Sequence, residues 1–212
     1  VATPEHLARL EPFEVRSSPF GIQLQAVERV AKALRGKALF VDTMFNAWNT
    51  LRRNLTKEAT ETLMVRHPEA VERALAVINA NLIAYALATL ERGAAGIFLS
   101  VPASQEFVSR EQYERFMRPF DLALLQAVRG KGECHILHAH GSKLYLDRLL
   151  DYPVQVLSWA DLNGGPGIAE ARTRTPLTLM GGIDHVKFPY SSAGLLRTQG
   201  AAARAQAGPT KF

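Results

Sequence analysis

Two histidines separated by one residue are the side chains with the clearest chemical potential in this sequence. His138 and His140 end the apolar stretch that starts at residue 134, and Gly141 follows them. Residues two apart on a strand face the same side, so the two imidazoles are expected to point in one direction. Paired imidazoles can transfer protons, bind a carboxylate or ligate a metal ion. The alternative is a pair of structural histidines bonded to neighbouring backbone.

Two aspartates that follow later apolar runs could act with these histidines. Asp161 comes after the run 154–159, and Asp184 comes after Gly181, Gly182 and Ile183. A carboxylate in such a position can orient a histidine or accept a proton. Glycines at a strand end let a substrate approach the backbone closely. A turn or capping role is the alternative, above all for Asp161, because a strong turn signal of Asn-Gly-Gly-Pro follows it.

The segments that must position these side chains alternate between short apolar runs and longer helical patterns. None of the runs alternates cleanly between polar and apolar residues, which is typical of strands covered on both faces. Strand–helix–strand alternation of this kind predicts a parallel α/β fold. The five candidate strands are residues 38–42, 96–101, 134–138, 154–159 and 177–181.

Helical patterns fill the intervals between these runs. Pro68 opens a long helix that Gly93 ends. Ser109 and Gln112 form a capping-box pattern, and Pro119 is expected to kink the helix that follows. The predicted helices span residues 21–34, 68–92, 109–129, 144–150 and 168–174.

Two architectures suit this alternation, a doubly wound sheet and a closed (β/α)8 barrel. No glycine-rich phosphate loop follows the first run, which disfavours a dinucleotide-binding sheet. A barrel has eight strands and about 250 residues, whereas five runs are present. We therefore predict a single, partial (β/α)8 TIM-barrel domain over residues 1–212, with its opening strands expected before Val1 and its closing strand after Phe212.

Active sites of such barrels lie at the carboxyl ends of the strands. This rule selects Asp42, Thr43, Gln105 and Gly181 as positional candidates, and His185, next to Asp184, is a second-rank one. From position and residue type we predict three catalytic residues, His140, Asp161 and Asp184. The predicted substrate-binding residues are Asn46, Ser100, His138, Gly141, Trp159 and Gly182.

Composition and charge limit the partners. The net charge is +5, but the basic residues are scattered and never form a run of five, so we expect a solvated basic surface that suits an anionic small molecule and not nucleic acid. Asn79 and Asn81 break the most apolar stretch, so no uninterrupted run reaches the roughly 18 residues of a membrane span. The single Cys134 excludes an internal disulfide, and the first residues lack signal-peptide features. A cytoplasmic location is therefore expected.

Several motifs of the chain resemble, in order and spacing, those of the uroporphyrinogen decarboxylase superfamily. The similarity covers essentially the whole chain and is densest between Gly93 and Asp184. The motifs are GAAGIFLS at 93–100, YERFMRPF at 113–120, ILHAHG at 136–141, DYPV at 151–154, LSWAD at 157–161, EAR at 170–172 and LMGGID at 179–184.

The resemblance implies a (β/α)8 barrel, often a homodimer, with a deep polar cleft. The decarboxylase of this family removes acetate carboxyls from a tetrapyrrole, uroporphyrinogen III, and needs no cofactor. A pyrrole carbon is protonated, CO2 leaves, and the product carbon is protonated again. Under this hypothesis Ser100 and His140 bind the substrate, and Asp184 supports the pyrrole nitrogens or the acid.

Departures from the family pattern keep two alternatives open. The family's arginine-rich motif and early aspartate would lie before Val1, and Leu99-Ser100 stands where decarboxylases carry Asp-Ser. The sister methyltransferases, which act on corrinoids or thiols, bind zinc through His-x-Cys-Gly. Here the matching stretch is His-Ala-His-Gly, so a zinc enzyme would use His138 and His140 as ligands. The other alternative is a barrel that binds a ligand without catalysis.

Overall fold

Five parallel strands form one sheet, and each strand pairs with the next one along the chain. The computed structural model describes residues 3–212, so Val1 and Ala2 of the predicted domain lie outside the described residues. Each of the five predicted runs contributes one strand, which confirms the parallel α/β fold. The strands are β1 (Val41–Phe45), β2 (Gly96–Val101), β3 (Ile136–Ala139), β4 (Val156–Trp159) and β5 (Thr178–Met180).

Residues alternate between two faces of the sheet, and only one face is fully covered. On β2, Leu99 is fully buried within the hydrophobic core, whereas its neighbours Phe98 and Ser100 remain partly exposed. The register places Ser100 beside His138 and His138 beside Ser158. These three polar side chains therefore share the less covered face, which is the interior face of a closed barrel.

The first strand lies three residues further along the chain than the predicted run 38–42. The apolar residues 38–40 lead into the strand, and Leu39 among them is exposed. Asp42 is therefore the second residue of β1 and not its last, and Thr43 lies at the strand centre. Asp42 also accepts a hydrogen bond from the Tyr85 hydroxyl at 2.6 Å. The assignment of these two positions to the strand end was wrong.

Helices follow the strands and cover the buried face of the sheet. The longest of them, α5, packs against α3, α4 and α7. The helices are α1 (Pro4–Leu7), α2 (Phe20–Leu34), α3 (Ala47–Arg53), α4 (Lys57–Arg66), α5 (Pro68–Glu91), α6 (Arg110–Phe116), α7 (Arg118–Val128), α8 (Ile168–Arg174) and α9 (Ala193–Ala207), with 3-10 turns at Val15–Ser17, Leu146–Arg148 and Phe188–Tyr190.

Two of the predicted helices differ from those in the structure, and four helices were not predicted. The predicted helix 109–129 is divided into α6 and α7 at Met117, whose φ of −122° is not helical, and Pro119 stands in the first turn of α7. The expected kink is therefore a complete break. The predicted helix 144–150 forms only a single 3-10 turn. α1, α3, α4 and α9 were not predicted at all.

By length and composition alone, α5 could cross a membrane. Half of its most apolar window is buried inside the protein, and a core helix of a folded domain meets the same criterion. Its two asparagines also have protein partners: the Asn79 amide donates to Phe120 O at 3.1 Å, and Asn81 Oδ1 accepts from the Phe13 amide at 3.1 Å. These contacts are those of a helix packed within the domain.

The end of the chain returns to the outer edge of β5. The Leu179 amide donates to Lys211 O at 3.0 Å, and the Arg172 guanidinium donates to the same oxygen at 3.2 Å. Lys211 thus lies where a sixth parallel strand would pair in a barrel. The described residues accordingly have the architecture of a partial (β/α)8 barrel, as predicted.

Candidate active site

His138 and His140 lie together at the carboxyl end of β3. Their ring centroids are 6.3 Å apart. His138 belongs to the strand and is partly buried, whereas His140 follows the strand and is exposed. The His140 amide donates to Val101 O at 2.8 Å, which extends the pairing of β2 with β3 beyond the strand. The backbone therefore presents both rings at one end of the sheet.

His138 is held on two sides by residues of the neighbouring strands. Its Nδ1 lies 3.1 Å from the Ser158 hydroxyl on β4, and its ring stacks on Phe98 of β2 at 5.3 Å between centroids. Burial lowers the pKa of His138 from its usual value, and the positive charges of His140 and His185 lower it further. His138 is therefore neutral at neutral pH and can exchange a hydrogen bond with a ligand without adding a charge.

His140 stacks on Phe107, which belongs to the loop after β2, with 5.6 Å between centroids. Gly141, the next residue, has a φ of +108°, and a Cβ there would come within 2.8 Å of Phe107 and Ser104. Only glycine accommodates both this φ and this contact. Glycine at position 141 therefore allows the loop after β3 to turn and to pass close to Phe107.

The loops after β2 and β3 are fastened to each other. Ser104 pairs with Leu144 in an antiparallel bridge, and the Ser104 hydroxyl donates to Ser142 O. Glu106 accepts hydrogen bonds from the Ser142 amide at 2.9 Å and from its hydroxyl at 3.1 Å. These bonds lower the pKa of Glu106 from its usual value. The two loops beside His140 are consequently held in a fixed arrangement by their own hydrogen bonds.

Asp161 and Asp184 follow β4 and β5, and both carboxylates bind loop backbone. Asp161 Oδ1 accepts from the Gly182 amide at 2.7 Å. Asp184 Oδ1 accepts from the Asn163 side chain at 3.0 Å and from two backbone amides at 3.1 Å each, and these bonds hold the pKa of Asp184 below its usual value. The two aspartates thus connect the loop after β4 with the loop after β5.

A cavity of about 640 Å³ lies beside these loops and is bordered by Asp161. It is formed by the loops after β3 and β4 together with α8. Other polar side chains that line it are Lys143, Asp147, Asn163, Glu170 and Arg174. Neither His140 nor Asp184 borders this cavity, so it does not unite all three predicted catalytic residues.

Two of the predicted substrate-binding residues have buried side chains with structural partners. Asn46 is 1% exposed, caps α3 by accepting from the Asn49 amide, and donates to Asp121 at 3.0 Å. Trp159 is 2% exposed, and its indole donates to Pro166 O at 2.9 Å. Trp159 points to the face opposite Ser158 because adjacent strand residues alternate. Neither side chain is accessible to a ligand, so both assignments are corrected.

The remaining predicted contacts differ in their positions. Ser100 is partly exposed on the same face as His138. Gly182 is buried, with a φ of +90°, and its amide is the donor to Asp161. Gln105 is exposed in the loop after β2. Ser100 is paired in register with His138, and Gly141 follows His140 in the sequence. These two predicted contacts therefore lie beside the histidine pair.

Sequence reasoning missed three residues that shape this site: Ser158, Phe107 and Arg52. Ser158 could have been found, because it lies one residue before the end of β4, on the same face of the sheet as His138. Phe107 and Arg52 belong to a loop and to the unpredicted α3, and their ring contact, with the Arg52 guanidinium 5.4 Å from the Phe107 centroid, follows from tertiary packing.

The donor set for a metal ion is incomplete in the described part of the chain. Zinc sites use three or four protein ligands, whereas His138 and His140 supply two. Within residues 3–212 no group of three or more His, Cys, Asp or Glu side chains is arranged to hold a metal ion. The residues present therefore do not fit the zinc site considered from the sequence.

One solved structure superposes on this chain well enough to show its fold. A methyltransferase from Methanosarcina mazei superposes with a TM-score of 0.67 at 17% identity, over 81% of this chain and 54% of that one. A dihydrodipicolinate synthase from Oceanobacillus iheyensis gives a TM-score of 0.46 at 11% identity, over 90% of this chain and 59% of that one. The chain thus spans little more than half the length of either protein.

Sequence comparison identifies the family. No curated protein matches the chain. The family model described as uroporphyrinogen decarboxylase (URO-D) matches residues 1–211, which is nearly the entire sequence. The chain therefore belongs to the uroporphyrinogen decarboxylase family.

Proposed function

We propose that this protein is a uroporphyrinogen decarboxylase-like carboxy-lyase that acts, without a cofactor, on a tetrapyrrole or a related polycarboxylate. The observation that carries the proposal is the histidine pair at the carboxyl end of β3, in a chain of this family. The His138 ring is neutral and is hydrogen-bonded to Ser158, whereas the His140 ring is exposed at the carboxyl end of the sheet. Such a pair suits a reaction that needs one positioned proton donor and one neutral hydrogen-bonding group.

The proposed reaction replaces a carboxylate by a proton. The ring carbon beside the acetate arm is first protonated, the bond to CO2 then breaks, and its electron pair neutralises the cationic ring and leaves an exocyclic methylene. The methylene carbon takes up a second proton and the ring carbon releases the first one, so one proton is consumed for each CO2 released. We assign the proton transfer to His140 and the orientation of the substrate to His138, Ser100 and Gly141. The catalytic roles predicted for Asp161 and Asp184 stay predictions, and their backbone hydrogen bonds favour a positioning role.

Substitution of His140 tests the proposal. Full-length protein is incubated anaerobically with uroporphyrinogen III, and the products are oxidised and separated by chromatography. We expect porphyrins with fewer carboxylates from the wild type, and a fall in rate of about 100-fold or more for His140→Ala, since a general acid contributes on this scale. The exposed His67, at the start of α5, provides the control variant His67→Ala, which is expected to keep the wild-type rate.

Failure of the wild type to remove any carboxyl from uroporphyrinogen would contradict the decarboxylase proposal. Turnover that is unchanged in His140→Ala would instead contradict the assignment of the proton donor.

A further inference from the structure

α3 ends in two arginines, and one of them lies close to the histidine pair. Arg52 and Arg53 form no ion pair within residues 3–212. The guanidinium carbon of Arg53 lies 3.9 Å from the ring centroid of Phe45, the last residue of β1. The Arg52 guanidinium points instead toward the loop after β2, where it meets Phe107.

Two aromatic rings hold the Arg52 guanidinium in place. Its carbon lies 5.6 Å from the Trp48 centroid and 5.4 Å from the Phe107 centroid. Trp48 is itself buried and fixed, because its indole lies 3.3 Å from Met64 Sδ. Cation–π contacts of this kind orient the guanidinium without using its N–H groups. The N–H groups of the Arg52 guanidinium therefore remain available to donate hydrogen bonds to a ligand.

Phe107 connects this cation with the proposed proton donor. Its ring contacts the Arg52 guanidinium and also stacks on the His140 ring. The two distances place the Arg52 guanidinium carbon no more than about 11 Å from the His140 ring centroid. A substrate with two carboxylates could span this separation.

A cavity of about 300 Å³ opens beside Arg52. Both carboxylates that border it already have partners: Glu61 lies 3.8 Å from Lys57, and Glu106 accepts two hydrogen bonds from Ser142. Arg52 forms no ion pair with either of these carboxylates. The cavity is lined by Trp48, Arg52, Lys57, Thr60, Glu61, Met64, Glu106 and Phe107.

We propose that this cavity binds one carboxylate arm of the substrate through the Arg52 guanidinium while a second carboxylate reacts at His140. A cavity of this size holds a single acetate or propionate arm, and a guanidinium fork binds a carboxylate through two parallel hydrogen bonds. The substrate class is therefore a di- or polycarboxylate that can span the separation between Arg52 and His140. The assignment of the second carboxylate to His140 rests on the proposed function, whereas anion binding at Arg52 does not.

Chemical protection tests anion binding without any turnover. The full-length protein is treated with phenylglyoxal, an arginine reagent, with and without citrate at constant ionic strength, and modified peptides are measured by mass spectrometry. We expect citrate to slow the modification of Arg52 at least threefold and to leave Arg73, an exposed arginine of α5 without an ion pair, unchanged. Equal modification of Arg52 with and without citrate would overturn the inference.

Kinetics then test the role of Arg52 toward the substrate. If the wild type decarboxylates uroporphyrinogen, Arg52→Gln is expected to raise KM about 10- to 100-fold, the usual effect of losing a charged hydrogen bond, with kcat within about threefold. Arg52→Lys is expected to recover part of the loss, and Arg73→Gln serves as the control.

An unchanged KM in Arg52→Gln would refute the substrate-binding role and leave the proposed function intact. Protection of Arg52 in a protein that does not turn over uroporphyrinogen would refute the proposed function and leave the anion site intact. A fall in kcat alone would also count against the inference.

Discussion

At the scale of single residues, the two histidines have different environments although one residue separates them. His138 is partly buried between Phe98 and Ser158, whereas His140 is exposed against Phe107. The strand spacing predicts their common direction, because the period of a strand fixes it. It does not predict their difference in burial, which depends on the packing of β2 and β4.

Burial of histidines makes the stability of the protein sensitive to acid. Burial lowers the pKa of both His135 and His138 in the folded state. The unfolded chain therefore binds more protons than the folded one, and the free energy of unfolding should decline as the pH falls below about 6.5. The replacement His138→Asn can keep the bond to Ser158 and should give a flatter decline between pH 7 and pH 5, measured by urea denaturation.

The exposed His67 provides the control for this series, because His67→Asn is expected to keep the wild-type dependence on pH. A His138→Asn protein whose stability falls as steeply as that of the wild type would contradict the assigned burial of His138.

The two mistaken substrate contacts show where residue type is ambiguous. An asparagine after a strand can bind a ligand or cap a helix, and Asn46 caps α3. A tryptophan at a strand end can face either side of the sheet, and the register of β4 places Trp159 on the helix side. Local sequence does not distinguish these outcomes, because in each case the choice depends on neighbouring elements.

At the scale of elements, a buried polar network joins α3 to the helices after β2. Asp121 on α7 accepts from Asn46 at 3.0 Å and from the Tyr152 hydroxyl at 3.4 Å, and Tyr152 shares a 2.7 Å hydrogen bond with Tyr113 on α6. Asp121 is 1% exposed. The network positions the start of α3, the helix that carries Arg52.

Replacement of Asp121 by asparagine should stabilise this network at alkaline pH. Burial raises the pKa of Asp121 from 3.8 to about 7, against the opposing hydrogen bonds from Asn46 and Tyr152. The folded state thus retains a proton that the unfolded state releases, and stability should fall as the pH rises from about 4 to about 7. Asp121→Asn avoids this loss. The free energy of unfolding of the variant, compared with that of the wild type, should therefore be up to about 4 kcal/mol more favourable at pH 8 than at pH 4.

Urea denaturation at both pH values measures this gain. A variant that is less stable than the wild type at pH 8 by as much as at pH 4 would contradict the buried, protonated state of Asp121.

Short helices account for most of the elements that the sequence did not reveal. α3 has seven residues and follows directly after the capping residue Asn46. Its apolar residues span only about two turns, which is too few to distinguish a helix from a loop by spacing. α6 and α7 were predicted as one helix because their apolar spacing continues through Met117. Pro119 causes the break, because a proline inside a helix lacks the backbone N–H and its ring clashes with the preceding turn.

At the scale of the whole molecule, the order of strands along the chain is the feature that brings the site together. Sequential parallel pairing places the carboxyl ends of β2, β3 and β4 side by side, and with them Ser100, His138 and Ser158. This convergence could be predicted from strand–helix alternation alone. The cavities could not, because loop contacts such as Ser104 with Leu144 define them.

The proposed function requires a polycarboxylate to bind over the histidine pair at the carboxyl end of β3. This binding can be measured by nuclear magnetic resonance of protein labelled at the histidine rings and titrated with uroporphyrin III as a stable probe. We predict that the ring signals of His138 and His140 shift together in a saturable manner while those of His67 stay constant. Saturable binding that leaves both ring signals unchanged would show that the substrate does not bind at the histidine pair.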